Sequence, residues 1–408
     1  MYIRMDQLVR AIAVALDIVE GELLGASTHH GKRIAALSVA MGRYFGMDEE
    51  FLTSLATCAL FHDSALTEYI LSEQRENDPA MKLHCEYGQR NAEAFLLNRD
   101  VAGFVLYHHE RADGDGPFGK KEGEFPLGAE IIAIADTLDV THHLQTVSPH
   151  ALADIRKQID EETGSRYTKR AAKAMLAVLD ADMLSLLRND RILDTAERII
   201  PPWPVDIEDL SVIRIADLAA HIIDYKSVFT KQHSVQIARK AWRMGEYYGY
   251  DKLSKSRLYL AAALHDLGKL AMPTHILEKP GKLTDAEFAT IKDHVRFTQE
   301  MLKDVTGFER VCAIAAGHHE KLDGTGYHAG KEADEISFDE RIVACLDIYQ
   351  AVSEPRPYHA ARSHAETMPI LYDMARKGFI DERIVKDLDA VMAVYSGVEL
   401  PPTFHLAP

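Results

Sequence analysis

The chain has 408 residues, 47% of them apolar, and a net charge of −17. That length suffices for two domains, each burying a core of ordinary size. The acidic surface repels phosphate backbones and disfavours nucleic-acid polymers as partners, although a small anion can still enter a pocket whose local field is set by metal ions. At the N-terminus, MYIRMDQLVRAIAVALDIVEGE carries apolar residues at helical spacing and predicts an amphipathic helix rather than a signal peptide. LTSLATCALFHD (52–63) and SRLYLAAALHD (256–266) are apolar with a period near 3.6, and each runs into a His-Asp pair. Between them, IIPPWPVDIED (199–209) has three prolines in four positions and would stop any helix. Gly and Pro mark loops at KPGKL and LDGTGYHAG, and strand alternation is scarce. The predicted fold is all-α: two tandem helical bundles, 1–198 and 209–408, joined by a Pro-rich linker at about 199–208.

No stretch reaches the roughly 18 unbroken apolar residues of a membrane helix. Cys58, Cys85, Cys312 and Cys345 form no C-x-x-C pair. This argues against a disulfide framework or a structural zinc site and fits a reducing cytoplasm. Histidine is the residue that stands out. There are 20, with adjacent pairs at 29–30, 108–109, 142–143 and 318–319.

The chain repeats itself with a period of about 200 residues, which indicates a duplicated domain. In the second half, His233 is followed by His265-Asp266 after 32 residues, His294 after 29, His318-His319 after 24, and Asp347 29 residues after His318. In the first half, His30 is followed by His62-Asp63 after 32, His84 after 22, His108-His109 after 24, and Asp136 28 residues after His108. Three of the four gaps agree within one residue; the fourth differs by seven, where the second half carries LAMPTHILEKPGKLTDAEF. The flanks also pair: ALFHDSAL with AALHDLGK, LYHHERADGDG with AGHHEKLDGTG, and EIIAIAD with RIVACLD.

Isolated histidines beside apolar runs are usually satisfied core or surface residues. Seven such residues repeated in register are not, and they point to metal binding. Hydrolytic two-metal sites need nitrogen and oxygen ligands converging from several elements, with positions left open for water and substrate. Adjacent His and Asp on one helix would project about 100° apart, so the Asp could bridge two ions while the His binds one. His142-His143 has no counterpart in the second half and reads as a solvated or capping pair.

The second half resembles an HD-GYP domain, a branch of the HD phosphohydrolase superfamily. The resemblance rests on KSVFTKQHS (226–234), HDLGK (265–269), MPTHILEKPGKLTDAEF (272–288), the isolated His294, HHEKLDGTGY (318–327) and LDIYQAVSEPRPY (346–358). Two departures are visible: Gly326-Tyr327-His328 replaces Gly-Tyr-Pro, and Gln350 stands where an Asp is common. The resemblance implies hydrolysis of a cyclic dinucleotide, chiefly cyclic di-GMP with 3′,3′-cyclic GMP-AMP as the alternative, to a linear dinucleotide or mononucleotides. It implies two divalent ions, iron or manganese by ligand type, with zinc, nickel and cobalt also compatible. His233, His265, Asp266 and Asp347 would hold one ion. Asp266 would bridge to a second, held by His294, His318 and His319. Lys269 would contact the scissile phosphate or its leaving oxygen, and Tyr327 and Arg356 would face the ligand's guanine and phosphate. A third ion in some members needs an acidic residue where this chain has Phe229.

The first half resembles the same fold more weakly. It keeps His30, His62, Asp63, His84, His108, His109 and Asp136 as a candidate second metal site. It has Leu66 in place of Lys269, lacks the KPGKLT segment, and carries Gly116-Pro117-Phe118 in the signature loop. Three readings stay open for it: a second hydrolase, a regulatory half, or a structural remnant. Two rival functions also stay open for the whole chain. One is a catalytically weak cyclic-dinucleotide receptor that signals through a partner protein. The other is a different HD-type nucleotide phosphohydrolase. A homodimer is compatible with each.

Overall fold

A computed structural model describes residues 1–24, 28–65, 79–95, 100–226, 233–279, 281–354 and 361–394. The chain divides into two compact units. One is Arg4–Pro204; the other is Val205–Pro408 together with Met1–Ile3. The first three residues thus cluster with the second unit, not with the helix that follows them. The reason is local pairing: strand β1 (Tyr2–Arg4) hydrogen-bonds to β2 (Pro204–Asp206), and Ile3 is buried there. These two short strands are the only named strands among the described residues, and the fold is all-α.

The first unit contains helices α1 (Met5–Leu24), α2 (His30–Tyr44), α3 (Glu49–Leu60), α4 (Pro79–Phe95), α5 (Leu127–His142), α6 (Leu152–Glu162), α7 (Lys169–Val178), α8 (Ala181–Leu186) and α9 (Ile192–Ile199). The second contains α10 (Leu210–Tyr225), α11 (His233–Tyr247), α12 (Lys252–Leu264), α13 (Thr274–Leu277), α14 (Asp285–Leu302), α15 (Glu309–Ala316), α16 (Phe338–Ser353), α17 (His364–Arg376) and α18 (Glu382–Ala393). α2 is the central helix of its unit and packs on α3, α5, α7 and α9; α11 packs on α10, α12 and α16. Both are buried around most of their circumference, as a helix surrounded by others must be.

The duplication shows in the caps. Asp48 accepts from the Phe51 N–H to start α3, and Asp251 accepts from the Ser254 N–H to start α12. Each such cap contributes about 1 kcal/mol. α2 and α11 begin at the first histidine of each half. There, buried Asp17 accepts from the Gly31 N–H and buried Asp224 from the Ser234 N–H and hydroxyl. A carboxylate from the preceding helix therefore fixes where each central helix begins. The segment unique to the second half forms α13 and the start of α14, where Thr284 and Glu287 make a capping box. His142 closes α5, and its Nε2–H donates to the Gln158 side chain at 2.6 Å; His143 caps the helix with φ 50°. That pair is a helix end.

Candidate metal centre and active site

The His-Asp pairs do not lie within helices. His265 is the residue after α12, and Asp266 precedes a short 3-10 turn, Leu267–Ala271. His62-Asp63 follows α3 in the same way, and His318-His319 follows α15. The helix end supplies a reason. Its last carbonyls lack intrahelical partners. The rings of His62, His265 and His318 use Nδ1 to bond the carbonyl three residues back, on Ala59, Ala262 and Ala315, at 2.7–2.8 Å, and His108, in a turn, bonds that of Val105 at 2.5 Å. His294, inside α14, does the same to Ile291 at 2.7 Å. Each bond leaves Nε2 as the nitrogen that faces inward.

In the second unit all seven candidate ligands converge. His233, His265 and Asp347 offer atoms within 4.8 Å of one another, as do His294, His318 and His319, and as do His265, Asp266 and His318. Asp266 lies between the outer groups, with Oδ2 3.2 Å from His265 Nε2 and Oδ1 3.3 Å from His294 Nε2. Asp347 Oδ1 is 3.3 Å from His233 Nε2, and its Oδ2 is 3.7 Å from His319 Nδ1. Lys269 reaches Asp266 from the 3-10 turn. Tyr327 lies over His319, ring centroids 4.7 Å apart, and its N–H donates to the His319 carbonyl. Lys292 sits 5.5 Å from the Tyr327 ring and 4.8 Å from the Phe288 ring, extending the stack outward. Arg356 and Phe229 lie outside the described residues, as does Leu66.

The first unit repeats the cluster. Asp63, His84, His108 and His109 group within 4.8 Å, and so do His30, His62 and Asp63. Asp136 joins them, with Oδ1 3.3 Å from His30 Nε2 and 3.9 Å from His62 Nε2. Its loop differs: Pro117 follows Gly116 where Tyr327 follows Gly326, and Phe118 packs edge-on against Tyr107.

The electrostatics suit cations at most of the ligand candidates; against burial, bonds to Asp347 and Glu354 raise His233 to about 9, and bonds to Asp136 and Asp139 raise His30. Burial would raise the Asp266 carboxyl, but the charges of His265 and Lys269 overcome it and hold it well below the usual range. Burial is likewise outweighed at Asp347 by its bond to His233, and at Asp63 by the charges of His62 and His84. Burial lowers His318 and His108 well below their ordinary value and takes His319 down to about 4. The carboxylates are therefore ionised and these rings neutral, which is the state a metal ligand needs. Buried His265 Nε2, Asp266 Oδ1, His62 Nε2, His84 Nε2 and His108 Nε2 make no hydrogen bond among the described residues. Such atoms are costly to bury unless something binds them. Donors of this kind, aimed at one point and of mixed nitrogen and oxygen type, fit divalent cations.

Several supporting residues carry no signal in the spacing of histidines. Glu110 and Glu320, each following a His-His pair, tie down the signature loops. Glu110 accepts from the Phe118 and Lys120 N–H groups, and Glu320 from those of Ala329 and Lys331. The His-Asp turn also approaches the helix of the isolated histidine very closely. A Cβ on Gly268 would fall 1.9 Å from the His294 carbonyl oxygen. Thr298 locks this contact, accepting from the Gly268 N–H at 2.9 Å and donating to the His265 carbonyl at 3.0 Å. In the first unit the glycine is on the other partner. Ala65 stands on the turn, and Gly88 on α4 would place a Cβ 3.2 Å from the His62 carbonyl oxygen.

Comparison with known proteins agrees with this geometry. HD domain family models match residues 28–141 and 217–384. The chain is 28% identical over 395 residues to 3′3′-cGAMP-specific phosphodiesterase 1 of Vibrio cholerae, covering 94% of this chain and 90% of the relative. It is 29% identical over 321 residues to 3′3′-cGAMP-specific phosphodiesterase 3 of the same organism, covering 76% and 68%. A crystal structure of a cyclic GMP-AMP specific phosphodiesterase from V. cholerae superposes with TM-score 0.65 at 23% identity, over 97% of this chain and 99% of that one, and shares the fold. The chain belongs to the HD-domain family and carries two HD domains in tandem.

Proposed function

We propose that the second unit is a metal-dependent phosphodiesterase that hydrolyses a cyclic dinucleotide second messenger to a linear dinucleotide or mononucleotides. The observation that carries this reading is the convergence of His233, His265, Asp347 and His294, His318, His319 on the two sides of Asp266, with Lys269 beside it. HD domains are metal-dependent, and these seven side chains would hold two divalent ions; the mixed ligand set suits iron or manganese. Such ions supply an activated water and Lewis acidity toward a phosphoryl group. The chain's own residues do the rest. Asp266 joins the two ligand groups. Lys269 offers its ammonium where charge develops on the departing oxygen. Tyr327, beside His319 with Lys292 over its ring, offers an aromatic contact for a base.

The two relatives that span most of this chain are named for 3′3′-cGAMP, while a relative named for cyclic di-GMP matches 62% of it. This weights the substrate toward 3′,3′-cGAMP, with cyclic di-GMP second. The test is product analysis of the purified, manganese- or iron-loaded full chain on a panel of both. Absence of any linear product from every cyclic dinucleotide would refute the reading.

The first unit would hold ions of its own through His30, His62, Asp63, His84, His108, His109 and Asp136, and we read it as the regulatory half. The retained inward-facing ring nitrogens support the metal; Pro117, which follows Gly116 where Tyr327 follows Gly326, supports a role other than gripping the same substrate. A cytoplasmic setting is supported by four free, buried cysteines and by the lack of any described helix long and apolar enough to cross a membrane.

A further inference from the structure

The two units anchor their first ligand histidine differently, and each serves as a reference for the other. His30 and His233 each open a helix, so no preceding helical turn offers a carbonyl to Nδ1. A side-chain carboxylate does so instead. In the first unit it is Asp139, whose Oδ2 lies 2.6 Å from His30 Nδ1. Asp139 is itself paired with Arg33, Nε to Oδ1 at 2.6 Å and Nη2 to Oδ2 at 3.0 Å, and both side chains are fully buried. Asp139 is three residues after Asp136, and three residues after Asp347 the second unit has Gln350, which cannot play this part. There, His233 Nδ1 is held by Glu354 Oε2 at 2.8 Å. Glu354 follows Gln350 by four residues, one turn further along the same face, and its longer side chain reaches back. Gln350 donates to Glu354 and accepts from Lys240 Nζ at 2.5 Å, so a lysine stands in for Arg33.

We propose that Glu354 is the positioning residue for His233, a carboxylate moved by one helical turn from the place that Asp139 occupies in the first unit. It sets the ring so that Nε2 faces Asp347, and it strengthens that nitrogen as a ligand. Glu354 is largely buried, 16% exposed, and contacts with Gln350 and His233 help to hold its carboxylate at that depth.

This inference rests on the metal-site reading of the second unit and predicts metal affinity independently of turnover. Metal-free full-length chain is titrated with manganese by calorimetry and by chelator competition. E354Q weakens the second unit's sites about 10–100-fold, the usual effect of removing such a partner. In Q350D/E354Q, which returns the carboxylate to the position matching Asp139, affinity recovers to within a few-fold of the unmodified chain; a merely structural Glu354 would not be rescued from another position. Should E354Q fail to fold, E354D against E354A gives the same comparison, with tighter binding expected for E354D. Equal affinity of E354Q and the unmodified chain, or no recovery in the double variant, overturns the inference. No manganese binding by the unmodified chain would overturn the metal-site reading as well, and that result is distinguishable because it appears before any substitution.

Discussion

Lys269 Nζ lies 2.5 Å from Asp266 Oδ2, three residues back on the same tight turn. The lysine is a quarter exposed and the aspartate nearly sealed, so the cation looks outward while the carboxylate looks inward. Replacement of Lys269 by Met is therefore expected to lower kcat by about 10²-fold, the typical effect of losing one donor aimed at developing charge. KM and bound metal should change little. Steady-state kinetics with metal analysis of the same preparation check this; a kcat within threefold of the unmodified enzyme would remove Lys269 from the reaction.

Metal content should divide between the two units. D63N should lose the metal of the first unit and keep turnover in the second. D266N should keep the first and abolish turnover. Chelation should lower the melting temperature and manganese should restore it, because a ligand present at about 1,000 times its Kd adds roughly 4 kcal/mol to the state that binds it. Elemental analysis and calorimetry of the full chain read both effects. Unchanged metal content in D63N would assign the first cluster a purely structural role.

Tyr327 stacks on His319 and fixes where a base would lie. Base stacking on an aromatic side chain is worth about 1–3 kcal/mol. Tyr327→Ala should therefore raise KM for the cyclic dinucleotide about tenfold, while Tyr327→Phe should stay near the unmodified value. Hydrolysis of a small diester such as bis(p-nitrophenyl) phosphate should be nearly indifferent to both. Equal losses on both substrates would make Tyr327 a structural residue.

A pH effect is expected away from the metal centre. Burial pushes the Asp217 carboxyl up to about 7, against the opposing bond from the Tyr259 hydroxyl. A carboxyl whose folded pKa is raised contributes stability below its unfolded value near 4 and loses it as pH rises through about 7. The loss is on the order of 4 kcal/mol, from about three pKa units at about 1.4 kcal/mol each. Asp217→Asn should flatten the melting temperature of the second unit between pH 4 and 7. Parallel melting curves for the two proteins across that range would contradict it.

The grouping of the candidate ligands was legible because a duplicated spacing kept seven polar residues in register, and the fold of each half brings them together. Their surroundings were less so. The His-Asp pairs read as helical from the apolar period before them, yet the helices stop at Leu60 and Leu264, where free carbonyls hold the rings. Asp17 and Asp224 lie too far from any motif to be paired with a helix start by eye. Gln350 looked like a simple loss, because the compensating carboxylate stands one turn away and only a helix brings the two together.

The contact between the His-Asp turn and the helix of the isolated histidine has a consequence for comparing many such chains. A Cβ at Gly268 would meet the backbone of His294 and Thr298, and in the first unit a Cβ at Gly88 would meet Val105 and the His62 carbonyl. Gly268 cannot drift, since a methyl group there collides with backbone and not with a flexible side chain. Across related sequences that keep this close approach, the column of Gly268 should stay glycine. A scan by loss of activity would count Gly268 among the reactive residues, although it carries no chemistry at all.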